Sequence, residues 1–377
     1  MNKKKLLVIH PALAPYRVEF FNEIAKHVHL KVYLLRDNLL SQKFNKEDIF
    51  SKVKFDCTVL QDGLKIGSRE FKFGLLNKIA KIKPDTIVTH EYSIQTMQLL
   101  VFRSLGLLKN VKIVTWTDDN QSIVRKPQSF IRKIARTYCL RKLDSIICLS
   151  DIVREEYKEY LNFQKPIGVA PLLHEEITFR NELNKNIYLS NKLRAEYNLE
   201  NKYLIFVIGR LAPEKGFDSF LNAISIIPEK ERAKMNFIFI GDGILKNELK
   251  RLSKSLMIDK EVKFLGRKEG KDLYSWFNLI DLLVVPSYHE LFGAVVNEAL
   301  ISGAFVACSN VVGAKILIKD NKNGYIFPVG DTSKLAEIIV NHCNLTTPDC
   351  FSERLELKES LMHTSFNSSI DGWLSVV

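Results

Sequence analysis

Two short segments of the chain collect residue types and turns able to stabilise negative charge. The first is Gly209-Arg210-Leu211-Ala212-Pro213-Glu214-Lys215-Gly216. It follows the apolar run 203–208 and opens a helical pattern at about Phe217. A strand-to-helix turn presents backbone N–H groups and the positive end of a helix dipole, which suits a phosphate. Arg210 and Lys215 add two cationic side chains on the same turn, able to neutralise a diphosphate as charge builds on it. A basic surface turn with a glycine has the same residues, so this segment alone is weak evidence.

The second segment is Ser287-Tyr288-His289-Glu290-Leu291-Phe292-Gly293-Ala294-Val295-Val296-Asn297-Glu298-Ala299-Leu300, after the very apolar run 282–286. The two carboxylates are eight positions apart, which places them about 80° apart on one continuous helix. With Glu290 still in the loop and Glu298 inside the helix, both can face the end of the strand. Backbone amides at 292–295 again face any anion there. The competing reading is two solvated glutamates, the commonest fate of that residue type.

These segments need elements to position them, and the chain supplies a strand–helix alternation. In the first half, apolar or β-branched runs fall at 6–10, 30–35, 86–90, 111–116 and 144–150, with amphipathic stretches at 18–28, 70–82, 93–105, 128–140 and 151–161. A polar stretch at about 174–202 interrupts the rhythm. The second half restarts with strands at 203–209, 236–241, 262–266, 279–286, 304–309 and 325–328, and helical segments at 217–227, 244–257, 269–278, 293–302 and 332–342. Such alternation predicts parallel sheets covered on both faces. The chain has 377 residues, 46% of them hydrophobic, so two α/β domains are expected, with ligands at the carboxyl ends of the strands and a cleft between facing domains.

Five motifs occur in order: Gly-Arg-Leu-x-Pro-Glu-Lys-Gly (209–216), Ile-Gly-Asp-Gly (240–243), Val-Lys-Phe-Leu-Gly (262–266), Glu-x7-Glu (290–298) and Gly-x-Ile-Phe-Pro-Val-Gly-Asp (324–331). Together they resemble the retaining glycosyltransferases of family 4, the bacterial group 1 glycosyl transferases, and the resemblance is close over 199–340. It implies a GT-B fold: two Rossmann-like doubly wound domains facing across a cleft. Residues 1–172 become an acceptor-binding domain, 173–200 a linker and 201–345 a nucleotide-sugar-binding domain. A helical segment, 346–377, is expected to pack back toward the first domain.

Carried over by position, the resemblance implies that Arg210 and Lys215 grip the donor diphosphate. Glu290 contacts the donor sugar near the reacting carbon, and Glu298 holds the ribose hydroxyls. Gly209 and Gly241 lie along the donor side, the backbone at Gly266-Arg267 lies where the base is read, and Leu291, Phe292, Gly293 and Ala294 lie where amides meet phosphate and sugar. The co-substrate is a nucleotide diphosphate sugar, a UDP-sugar favoured over a GDP-sugar. No cofactor and no metal are expected, because the basic pair and the amides take the metal's place.

The first half departs from the family pattern. The segment His10-Pro11-Ala12-Leu13-Ala14-Pro15-Tyr16-Arg17 has no glycine-rich loop, and the run Thr115-Trp116-Thr117-Asp118-Asp119 has no histidine. His10, Tyr16, Arg17 and His90 are the acceptor-side candidates, while Asp118-Asp119 reads as a turn or helix start. A lone histidine at a strand end is more often structural than functional.

Charge is distributed unevenly. Residues 1–172 hold 30 Lys+Arg against 17 Asp+Glu, or +13, so the remaining 25 against 26 give −1 of the total +12. Seven basic residues, Arg125 to Lys142, are interleaved with Phe130, Ile131, Ile134, Ala135 and Tyr138 and with no acid. That is a basic amphipathic helix, either packed on the core or docked on an anionic membrane. An anionic or lipid-linked glycan acceptor at the inner face of the cytoplasmic membrane fits this field, in lipopolysaccharide or capsule synthesis.

Other classes fit less well. No apolar run approaches the roughly 18 residues that would suggest a membrane span, and the run 6–9 stops at His10-Pro11, too short for a signal peptide. Six scattered cysteines without Cys-x-x-Cys spacing argue for reduced thiols in a cytoplasmic protein. A nucleotide-sugar 2-epimerase of the same fold is the second enzymatic reading, against which the Glu-x7-Glu block argues. Nucleic-acid binding lacks a zinc finger, an RNP signature or an aromatic platform. Gly241-Asp242-Gly243 lacks the third glycine of a dinucleotide fingerprint.

Overall fold

The computed structural model describes residues 3–38, 45–66, 69–346 and 356–377. The chain divides into two compact units, 1–173 with 366–377, and 174–365.

The first unit holds a parallel sheet of seven strands: β1 (Lys5–His10), β2 (His29–Leu34), β3 (Asp56–Val59), β6 (Thr86–His90), β7 (Lys112–Trp116), β8 (Ser145–Cys148) and β9 (Ile167–Val169). Their order is β3-β2-β1-β6-β7-β8-β9. A separate antiparallel hairpin pairs β4 (Gly63–Ile66) with β5 (Arg69–Lys72). Leu6, Leu7, Val8 and Ile9 on the central β1 are all at most 2% exposed. A strand with helices on both faces buries successive side chains on either side, so its sequence is continuously apolar rather than alternating. Pro15 starts the helix Pro15–His27, where its missing N–H costs nothing.

The second unit repeats the architecture with β10 (Tyr203–Ile208), β11 (Met235–Ile240), β12 (Val262–Gly266), β13 (Leu282–Val285), β14 (Phe305–Ser309) and β15 (Gly324–Phe327), ordered β12-β11-β10-β13-β14-β15. Phe220, Phe237 and Phe239 fill its core beneath the helix Phe217–Ile226. Both units are doubly wound α/β, the architecture the alternation predicted.

Several sequence expectations are revised. The helix expected over 70–82 forms only over Leu75–Ile82, because Glu70–Lys72 pair across the hairpin as a strand. The edge strands β3 and β9 are too short to stand out. The stretch 173–200, expected as a linker, folds from 176 onward into the helices Glu176–Lys185 and Ile187–Glu196. These belong to the second unit, where Phe179 and Leu183 are buried and Asn278 Nδ2 donates to the Leu183 carbonyl at 2.9 Å. Their apolar residues recur at helical spacing within a polar composition.

The terminal helix Phe366–Leu374 is part of the first unit and packs on β9 and on the helix Pro15–His27. Gly372 permits this contact, since a Cβ there would lie 1.9 Å from the Val169 carbonyl oxygen. Residues 347–355 of the expected C-terminal segment, with Cys350, lie outside the described residues. The cysteines at 57, 139, 148, 308 and 343 are free thiols.

Candidate functional site

In the second unit, Gly209, Gly241 and Gly266 lie at the carboxyl ends of three adjacent strands, β10, β11 and β12. Gly209 N–H donates to the Ile240 carbonyl at 2.9 Å and Gly241 N–H to the Gly266 carbonyl at 3.0 Å, extending the ladder past the strands. A Cβ on Gly241 would sit 1.8 Å from the Gly209 carbonyl oxygen. Glycine is therefore required by close backbone approach.

Gly216 has φ +64°, and a Cβ there would lie 2.2 Å from the Pro286 carbonyl oxygen. Just beyond it, Tyr288 N–H and His289 N–H both donate to the Glu214 carbonyl, at 2.9 and 3.1 Å. The turn 209–216 and the loop 287–293 are thus joined backbone to backbone. That joint brings the Lys215 ammonium into an ion pair with the Glu290 carboxylate, both side chains largely buried. Arg210 pairs with Glu214 and Arg267 with Glu269, and both arginines stay about half exposed.

Glu290 bridges to Val312, Phe292 is buried and Leu291 is exposed. Gly293 caps the helix Ala294–Ile301 at φ +93°. Glu298 in that helix receives His174 Nε2 at 3.2 Å, and Asn297 Oδ1 accepts the His174 backbone N–H at 2.7 Å. The structure therefore brings Lys215 to Glu290. Glu298 lies one helix onset further along, with a partner that sequence reasoning missed.

In the first unit the four acceptor-side candidates separate by burial. His10 ends β1, His90 ends β6 and Trp116 ends β7. Arg17, 2% exposed, lies over the Trp116 ring with its guanidinium carbon 3.7 Å from the centroid. Its Nη2 donates to Asp118 Oδ1 at 2.9 Å, and His90 Nε2 meets Asp118 Oδ2 at 3.3 Å. His10 is buried with its ring 4.9 Å from that of His90, and Nδ1 lies 2.8 Å from the Ala12 carbonyl. Tyr16 is half-buried, its ring 5.8 Å from the Arg17 guanidinium. Among the described residues, His10 Nε2 and Arg17 Nη1 are buried without a hydrogen-bond partner.

Electrostatics follow from this packing. Burial, with His90 and Arg17 nearby, pushes the His10 pKa well below its ordinary value. Burial also opposes charge on His90, but the Asp118 carboxylate outweighs it and raises the pKa. Asp118 resists burial because Arg17 and His90 hold it ionised, well below the usual carboxylate range. Asp119, bonded to the Tyr157 hydroxyl at 2.6 Å, is pushed up to about 6, chiefly by burial. The acidic pair read as a turn is thus two carboxylates in opposite environments. Asp118 lies two residues past the end of β7, and that place just beyond a strand's carboxyl end was the available signal.

The basic helix, Phe130–Lys142, packs on the helix Ile94–Ser104 but buries only Cys139. Phe130, Ile131 and Ile134 are 77%, 69% and 53% exposed beside Arg132, Lys133 and Arg141. Among the described residues no helix is long and apolar enough to cross a membrane.

Two doubly wound units, the second carrying a cationic turn and a Glu-x7-Glu element at its strand ends, have the architecture of GT-B glycosyltransferases. Residues 190–343 match the family of glycosyl transferases group 1. The chain is similar to an alpha-D-kanosaminyltransferase of Streptomyces kanamyceticus, 25% identical over 55% of this chain and 53% of that one, so the match spans about half of the relative. A Campylobacter jejuni alpha-1,4-N-acetyl-D-galactosaminyltransferase, named for an undecaprenol-diphosphate-linked glycan, is 28% identical over 74% of this chain and 72% of its own. The fold of Anabaena HepE, solved with UDP-glucose, superposes with a TM-score of 0.69 at 18% identity, covering 99% of this chain and 100% of that one.

Proposed function

We propose that the chain is a nucleotide-sugar-dependent glycosyltransferase acting with retention of anomeric configuration. The observation that carries this reading is the Lys215–Glu290 ion pair, set between the cationic turn and the Glu-x7-Glu loop. An ammonium has three donors, so Lys215 can keep Glu290 and still take a diphosphate oxygen. Arg210 is exposed enough to swing onto the same diphosphate. Glu290 contacts the donor sugar and Glu298 the ribose. The base meets the backbone at Gly266-Arg267, and the amides after Leu291, at Phe292, Gly293 and Ala294, meet phosphate and sugar.

In the reaction the bond from the anomeric carbon to the diphosphate oxygen breaks. A bond to the acceptor hydroxyl oxygen forms on the same face, and the acceptor proton passes to the departing phosphate. Lys215 and Arg210 stabilise the charge on that phosphate, the work a divalent metal does elsewhere. The UDP-glucose complex of HepE supports a UDP-sugar donor. The name of the Campylobacter relative supports a lipid-linked glycan acceptor and hence surface-polysaccharide synthesis.

We assign the acceptor side to the first unit. His90 and Asp118 keep some exposure there, whereas His10 and Arg17 are buried supports. The exposed apolar and basic face of Phe130–Lys142 favours peripheral contact with an anionic cytoplasmic membrane. Replacing Lys215 with Ala or Glu290 with Gln is expected to lower turnover of a UDP-sugar by about 100- to 1,000-fold, with a cooperative thermal unfolding transition retained. Undiminished turnover in either variant removes the assignment.

A further inference from the structure

We infer that His174 is a positioning residue for Glu298, fixing the carboxylate that meets the nucleotide ribose. This rests on the donor reading above. His174 is the first residue of the second unit, and its contacts there include the following. Its backbone N–H donates to the side chain of the fully buried Asn297, the residue just before Glu298. Its ring packs against Phe179 with centroids 5.2 Å apart. Its Nε2 meets Glu298 Oε1 at 3.2 Å.

An ionised carboxylate only accepts hydrogen bonds, so Nε2 carries the proton and donates. The His174 side chain is 9% exposed and that of Glu298 21%. The carboxylate is therefore held from its buried side by a ring packed on Phe179, leaving acceptor capacity for hydroxyls at its exposed side. A free glutamate has to give up side-chain rotamer freedom when it binds a ribose. One already held by His174 has less to lose, so the histidine raises nucleotide affinity without touching the ligand. The contact also ties the ribose-binding carboxylate to the point where the chain enters the second unit.

The test is titration calorimetry of the full chain with UDP and with 2′,3′-dideoxy-UDP, on the native protein and on His174→Ala, His174→Gln and Glu298→Gln. His174→Ala is expected to weaken UDP by up to about tenfold, the cost of ordering one side chain on binding, and to leave dideoxy-UDP unchanged. His174→Gln, which retains an N–H donor, recovers part of the loss. Adding His174→Ala to Glu298→Gln costs little more, because the two act as one unit. Native affinity in His174→Ala overturns the inference, and so does an equal loss for both nucleotides, which marks a collapsed site. Failure of the native protein to bind UDP, GDP or ADP overturns the donor reading and this inference together, whereas UDP binding indifferent to residue 174 overturns the inference alone.

Discussion

Arg17 and Asp118, 101 residues apart in sequence, form an ion pair at 2.9 Å in which the arginine side chain is 2% exposed. The guanidinium is also stacked on Trp116, so charge pairing and ring contact hold one planar group from two directions. Arg17→Ala leaves the Asp118 carboxylate without its main counter-charge and is expected to destabilise the first unit by roughly 3–5 kcal/mol. Arg17→Lys keeps the charge, loses the planar stack and should fall between. Unfolding followed by the fluorescence of Trp116 and Trp373 reads this out, and a native midpoint in Arg17→Ala removes the structural role.

His342 predicts acid sensitivity in the second unit. It is 1% exposed, packed against Phe305, and burial lowers its pKa from 6.5 to about 4. The folded state binds this proton less readily than the unfolded chain, so stability falls as pH drops from 6.5 toward 4. At about 1.4 kcal/mol per unit the full effect is roughly 3 kcal/mol, with none above pH 7. His342→Leu should flatten that part of the stability profile. An unchanged slope between pH 6.5 and 4 assigns the acid sensitivity elsewhere.

Gly241 and Gly330 separate steric need from backbone need. Both have positive φ, but a Cβ on Gly241 collides with the Gly209 carbonyl, whereas one on Gly330 meets nothing within 4 Å. Gly330→Ala should cost only the conformational strain, about 1–2 kcal/mol. Gly241→Ala adds a backbone collision at the strand ends and should also abolish UDP binding. Equal melting points and equal nucleotide affinity in the two variants contradict this.

Vesicle cosedimentation tests the helix Phe130–Lys142. The native protein should bind phosphatidylglycerol vesicles and not phosphatidylcholine, and release them as salt shortens the Debye length to below about 10 Å. Removing Lys133 or Arg141 should weaken binding about fivefold each, following from about 1 kcal/mol per basic residue. Phe130→Ala with Ile131→Ala should weaken it further without altering nucleotide binding. Equal recovery on neutral vesicles points to another partner.

The sequence alone determined what depends on neighbours along the chain. The buried strands of both sheets, the glycine turns and the Glu-x7-Glu spacing are local patterns, fixed by apolar runs and by backbone that only glycine can adopt. The second sheet was read almost strand for strand on that basis. The polar composition of 174–202 hid two helices, because Phe179 and Leu183 are buried only once Asn278 and its neighbours supply a surface. The stretch 70–72 became a strand because 63–66 pairs with it.

Tertiary structure also decided which site residues meet. Lys215 was read as a diphosphate grip and Glu290 as a sugar contact, but their ion pair depends on backbone bonds from the loop 287–293 to Glu214. Asp118 looked like half of a turn until Arg17 and His90 converged on it. His174 looked like the start of a linker until Asn297 and Glu298 held it. Burial and long-range pairing determine which charges are held ionised and which side chains are fixed, and neither is written in residue spacing.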